Sequence, residues 1–129
     1  MKENKKVYVG LAVDIIHEGH INILKTASSY GDVIVGLLTD AAIASYKNIP
    51  YLNFERRRII VQNIKYVKKV IPQNSLSYVP NLNLLKPDFV VHGDDWKKGV
   101  QQQTRRDVIK TLKKWSGKLI EPNYTKNVS

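Results

Sequence analysis

His17 and His20 stand three residues apart, with Glu18 and Gly19 between them, where a short apolar run gives way to helical spacing. Residues three apart at the start of a helix share a face, so both imidazoles look the same way. A helix N-terminus presents unpaired N–H groups and the positive end of a dipole, which makes it an anion site. Gly19 lets a phosphate approach the backbone closely. Two imidazole donors beside it meet the negative charge that builds on a phosphoryl group during transfer. The bland alternative is a pair of surface histidines at a helix start. A zinc site with His92 as third ligand is another, but no carboxylate ligand or outer partner can be assigned to it, and zinc is set aside.

The elements that must carry this turn are legible in the hydrophobic pattern. Residues 7–12 are apolar with β-branched side chains and read as a buried strand. From Glu18, Ile21, Leu24 and Ala27 keep helical spacing until Gly31. Residues 33–38 form a continuous apolar run, the mark of a parallel strand covered on both faces. Thr39 and Asp40 cap a short helix to about residue 47, and 48–53 is a loop. A basic helix over 54–65 and a short strand over 69–71, ending at Pro72, come next. A weak helix over 78–85, a strand over 88–92, a turn over 93–96, a helix over 104–115 and a last strand over 118–120 complete the order. Strand and helix alternate throughout, which predicts one α/β domain over 1–129: a five-stranded, mainly parallel sheet with helices on both faces. Ligands of such sheets bind outside the carboxyl ends of the strands, at the switch point, and His17 and His20 belong at that edge.

Composition bounds the rest. The chain has 129 residues, 43% hydrophobic and 25% charged, ordinary for one globular domain. It has no cysteine, which removes disulfides and thiolate metal sites. No signal peptide or membrane span is read, so the default is a soluble cytoplasmic domain. Twenty-one Lys and Arg against eleven Asp and Glu give a net charge of +10. Such a surface draws polyanions, but a lysine-rich proteome with a solvated basic face explains it equally well. Aromatics do not interleave with the basic residues as a single-strand binder requires, so nucleic acid is not the favoured partner.

Four stretches then carry a resemblance. Asp14 with His17-Glu18-Gly19-His20 is similar to the H-x-G-H signature of the cytidylyltransferases, a Rossmann-like nucleotidyltransferase family. Glu55-Arg56-Arg57, with Ile64-Lys65-Tyr66-Val67 after it, resembles the family's arginine helix and following strand. His92-Gly93-Asp94-Asp95-Trp96 resembles the turn of glycerol-3-phosphate cytidylyltransferases. Tyr124-Thr125-Lys126-Asn127-Val128-Ser129 falls where the family carries R-T-x-G-I-S-T-T. The motifs come in order and span nearly the whole chain. The subgroup most alike is the cytidylyltransferase domain at the amino end of phosphonate-pathway proteins, ahead of a phosphoenolpyruvate mutase domain. The chain departs from the pattern at Leu11, where the family has glycine, at Ala12 and Val13, and at Tyr124 and Asn127.

The resemblance implies attack of a small phosphate or phosphonate acceptor on the α-phosphorus of CTP, with release of pyrophosphate. Glycerol-3-phosphate, phosphoethanolamine and 2-hydroxyethylphosphonate all remain open as acceptors. A nucleotide- or RNA-binding module without turnover, and a sibling adenylyltransferase, are the competing readings. His17, His20, Lys47 and Arg57 are the catalytic set: the histidines and Arg57 on phosphates, Lys47 on the α-phosphate or acceptor. Lys47 reads equally as a solvated loop lysine. Arg56 and Arg58 diverge from Arg57 by about 100° each, so one arginine of the three faces a ligand. Leu11, Ala12, Asp14, Gly19, Gly93, Asp94, Trp96, Thr125 and Ser129 form the nucleotide-binding set. Asp94 and Trp96 sit beside the cytosine, whose exocyclic amine a carboxylate or carbonyl distinguishes from uracil. Trp96 reads equally as a core aromatic, and Asp14 as the residue that orders the histidine turn. No protein metal ligand is assigned; Mg²⁺ is expected with CTP, held by phosphates and water. A homodimer is implied too. The sequence stops before the hydroxyl pair and helix that would follow Ser129, so the expectation is either a domain cut from a longer protein or an incomplete grip on the triphosphate.

Overall fold

Strand β1 (Lys6–Leu11) alternates its side chains between two cores, and this sets the layering of the molecule. The computed structural model describes residues 4–12, 15–46, 50–99 and 101–123. Val7, Val9 and Leu11 face one core with Leu24 and Ala27 of helix α1 (Glu18–Ser28) and Val61 of helix α3 (Phe54–Gln62). Tyr8 faces the opposite core with Leu82 of α4 (Val79–Leu85) and Val108 and Leu112 of α5 (Gln102–Leu112). A small third cluster joins Leu38 to Ala42 and Ile43 of α2 (Asp40–Ala44).

The sheet has five strands in the order β3-β2-β1-β4-β5, with β2 at Asp32–Leu38, β3 at Val67–Gln73, β4 at Phe89–Val91 and β5 at Lys118–Ile120. Every pairing is parallel: Val7 lies opposite Val33 on one side and Phe89 on the other. The chain winds from β1 outward to β3, then returns to lay β4 and β5 on the other side of β1. The winding reverses between β1 and β4, which is the switch point. No helix among the described residues is long and apolar enough to cross a membrane.

Boundaries moved where local hydrogen bonding decides them. The basic helix ends at Gln62 rather than 65 because the chain caps there, the Asn63 N–H donating to the Ile60 carbonyl and the Ile64 N–H to the Val61 carbonyl. The strand read over 69–71 extends to Val67–Gln73, since the seven residues of β2 offer a full ladder from Val33 to Leu38. Pro72 fits there because β3 is the outermost strand; Lys68 and Lys69 beside it are exposed. Helix α5 starts two residues early, at Gln102, and gives way to a 3₁₀ turn over Lys113–Trp115.

A buried polar link crosses the sheet. The Tyr8 hydroxyl donates to Gln73 Oε1 at 2.5 Å and accepts from Asn81 Nδ2 at 3.0 Å, while Gln73 Nε2 reaches the Ser75 carbonyl at 3.0 Å. Gly36 makes room for it: a Cβ there would lie 1.6 Å from the Tyr8 hydroxyl.

Candidate functional site

The carboxyl ends of β1 and β4 open onto a cleft of about 250 Å³. Gly10, Leu11 and Ala12 form one wall, Val91, His92 and Gly93 the other, with Gly19 and His20 of α1 at one end and Tyr46, Asp95 and Gln101 around the rim. The cleft therefore sits at the switch point.

The two histidines hold the start of α1 reciprocally. His17 is the N-cap, its Nδ1 accepting from the Gly19 N–H at 3.1 Å, while His20 Nδ1 accepts from the His17 N–H at 3.1 Å. This is a capping box built from imidazoles. An Nδ1 that accepts an amide carries no proton, so the partners assign both neutral rings to the Nε2–H tautomer. The rings lie 3.9 Å apart, centroid to centroid, tilted by 33°. The H-x-G-H spacing thus turns two imidazoles into a pair of Nε2–H donors beside a helix N-terminus.

His92 is set the other way. Its Nδ1 lies 2.7 Å from the Gly93 carbonyl, which only accepts, so Nδ1 carries the proton. Nε2 has no protein partner among the described residues, and no buried side-chain nitrogen there is left unsatisfied, so it faces the cleft as an acceptor when the ring is neutral. The ring is 16% exposed and stacks flat on Trp96, 3.6 Å between centroids and 5° between planes. Burial holds its pKa below the ordinary value, opposed by the Gly93 carbonyl and by the carboxylates of Asp95 and Glu121.

Trp96 is 1% exposed, so the core-aromatic alternative describes it. Its indole N–H donates to Glu121 Oε2 at 2.7 Å, and Tyr78 packs against its ring. From this turn His92 and the Asp95 carboxylate line the cleft, while Asp94 is half-buried and opens the 3₁₀ turn over Asp94–Trp96. Gly10 has the same origin as Gly36: a Cβ would meet the Tyr78 hydroxyl at 2.4 Å.

Arg57, expected on a phosphate, turns inward. Its side chain is 1% exposed, and its donors go to the Leu52 carbonyl (3.0 Å), the Leu38 carbonyl (2.8 Å) and Asp40 Oδ1 (2.7 Å). The fork ties the end of β2 and the start of α2 to α3. Arg58 pairs with Glu55 on the surface. Of the remaining expected residues, Leu11, Ala12, Gly19, His20 and Gly93 meet in the cleft. Asp14, Lys47, Thr125 and Ser129 lie outside the described residues. Among the described residues no three His, Asp or Glu gather where they would hold a metal ion.

A family model described as cytidylyltransferase-like matches residues 8–129, the span that contains this cleft. The chain belongs to the cytidylyltransferase-like family. It is 37% identical over 128 residues to ethanolamine-phosphate cytidylyltransferase of Mus musculus, covering 96% of this chain and 30% of that protein. It is 33% identical over 101 residues to glycerol-3-phosphate cytidylyltransferase of Bacillus subtilis (strain 168), covering 72% of this chain and 74% of that one. Relative to the ethanolamine-phosphate enzymes of mouse and Dictyostelium discoideum, the chain spans only 30% and 35% of their length. Among solved structures, the lipopolysaccharide core biosynthesis protein from Thermoplasma volcanium GSS1 superposes with a TM-score of 0.78, covering 95% of this chain and 99% of that one at 20% identity. That likeness establishes the fold.

Within this cytidylyltransferase-like chain, the residues that sequence reasoning missed are Tyr46, Asp95, Gln101 and Glu121. The first three come to the cleft from loops whose course depends on tertiary packing. Glu121 had a signal: it follows the last apolar strand directly, at a carboxyl end. His92 entered the sequence reading as a possible zinc ligand and as the first residue of the 92–96 turn.

Proposed function

We propose that the chain transfers CMP from CTP to a small phosphate or phosphonate acceptor. An acceptor oxygen attacks the α-phosphorus, the bond from that phosphorus to the bridging oxygen breaks, and pyrophosphate leaves. The observation that carries this reading is the reciprocal cap. His17 and His20, each engaged through Nδ1, bring two imidazoles to the positive end of α1, where Nε2–H groups would meet phosphoryl oxygens. Such transfer needs positioning and charge neutralisation more than covalent help. The opposite wall supplies acceptors, His92 Nε2 and the Asp95 carboxylate, suited to the N–H and O–H groups of base or acceptor. A magnesium ion would come with the triphosphate and neutralise its charge. The donor set suits an ion that stays on phosphate and water, since Asp95 is the lining carboxylate among the described residues.

The names of the relatives favour phosphoethanolamine and glycerol-3-phosphate as acceptors to try first; 2-hydroxyethylphosphonate, and with it a fused mutase domain, completes the panel. The test is pyrophosphate release from CTP with each acceptor, repeated with ATP. Release with one acceptor and CTP, lost in His20→Ala, supports the reading. Release from ATP alone makes the chain an adenylyltransferase. Salt-sensitive RNA binding without release from either nucleotide makes it a binding module.

A further inference from the structure

Behind the His92 wall lies a carboxylate that the transfer reading does not use. Glu121 sits one residue past β5, its side chain 14% exposed, and accepts three hydrogen bonds. Arg105 of α5 grips both oxygens, Nε to Oε2 at 2.8 Å and Nη2 to Oε1 at 3.0 Å. The Trp96 indole N–H takes Oε2 at 2.7 Å. A bidentate pair of this kind fixes direction as well as distance. Arg105 and Trp96 together hold the Glu121 carboxyl below the usual carboxylate range, so it is an anion at neutral pH.

The chain of contact continues into the cleft. An indole ring has two freedoms once its backbone is placed, and one hydrogen bond at its only polar atom removes the swing of the ring edge. His92 lies flat on that ring, while its own backbone N–H is tied to the Ile120 carbonyl at 3.1 Å, next to Glu121. The plane of the indole therefore sets the plane of the imidazole, and so the direction of Nε2.

We propose that Glu121 is a positioning residue of the cleft: anchored by Arg105, it fixes the Trp96 indole and through it the aim of His92. The inference rests on the cleft being the transfer site for its kinetic half only. Its structural half is measurable without turnover. A stacked indole moves the ring protons of His92 upfield, and losing the parallel stack removes that shift.

The experiment records His92 ring signals by NMR in the full chain, assigned through His92→Gln, for wild type, Glu121→Gln, Glu121→Ala and Trp96→Phe. Glu121→Gln keeps an oxygen for the indole N–H and should retain the upfield shift. Glu121→Ala should lose it along with the hydrogen-bonded position of the indole N–H signal. Trp96→Phe removes the indole and its ring current altogether and serves as the reference for a lost stack; if Glu121→Ala fails to fold, Arg105→Met, which releases the same carboxylate and keeps the indole, should weaken the shift. In pyrophosphate release, Glu121→Ala should raise KM several-fold with little change in kcat. It should add nothing further in the Trp96→Phe background, because the two act through one contact. A wild-type upfield shift retained in Glu121→Ala, or in Arg105→Met where Glu121→Ala does not fold, overturns the proposal, as does a full Glu121→Ala effect on KM in the Trp96→Phe background. If wild type releases no pyrophosphate yet the His92 signals respond as stated, the positioning holds and the transfer reading falls.

Discussion

His17 and His20 exchange one structural duty: each accepts, through Nδ1, a backbone amide of the turn that the other occupies. The capping geometry uses the inner nitrogen, Nδ1, of both rings. The cap and the proposed phosphate contact therefore use different atoms of one side chain, and can be separated.

His17→Asn separates them. Asparagine is among the preferred N-caps, so the start of α1 should survive within about 1 kcal/mol. The Nε2–H donor disappears, and pyrophosphate release should fall by about a hundredfold or more, as when a preorganised donor is removed. Thermal melting and turnover on the same sample check it. Unchanged turnover would reduce His17 to a cap.

Arg57→Ala should act on stability before it acts on nucleotide. It strands the Leu38 and Leu52 carbonyls and the Asp40 carboxylate, and breaking such a buried set costs about 3 kcal/mol. Asp40 is 45% exposed, so Asp40→Asn should cost under about 1 kcal/mol. Urea midpoints decide. A loss of nucleotide affinity at unchanged stability would return Arg57 to the phosphates.

Stability should fall as pH is lowered through the histidine range, and His92 should account for part of the fall. Its folded pKa is depressed by burial. The unfolded chain therefore binds the proton first, and the stability that His92 contributes is present above the ordinary value of 6.5 and lost as pH falls through the lower folded value. The difference in melting temperature between wild type and His92→Gln should narrow or reverse across that window. A pH-independent difference contradicts the assignment.

Gly36→Ala should be more damaging than a mid-strand alanine ordinarily is. The new methyl falls on the Tyr8 hydroxyl and displaces a residue that holds Gln73 and Asn81. Overpacking plus a broken buried link predicts a loss of about 2–4 kcal/mol, measurable by chemical denaturation.

Much of this architecture was written in local pattern. The continuous apolar run at Val33–Leu38 reads as a strand covered on both faces, and the spacing of Ile21, Leu24 and Ala27 as one helical stripe, and both are found. The histidine turn was legible because its chemistry is local, four residues at one helix start. The burial of Arg57 was not legible because burial is not local: nothing in Glu55-Arg56-Arg57-Arg58 says which guanidinium turns inward to meet carbonyls contributed by residues 38 and 52. Glu121 escaped for the same reason, since its partners stand 16 and 25 residues away.

The strand order has a temporal consequence. A chain made from its amino end can complete the ladder of β1, β2 and β3 once residue 73 is available, because those three strands are consecutive and adjacent. The other half of the cleft is built from β4 and β5, which must close on β1 across more than eighty residues of sequence, as the Lys6 N–H to Asp88 bond does. Contacts of that separation form late. The cleft between β1 and β4 thus closes after the β1–β3 ladder, and a nucleotide bound there, as proposed, would act as a clasp across the seam between the two parts.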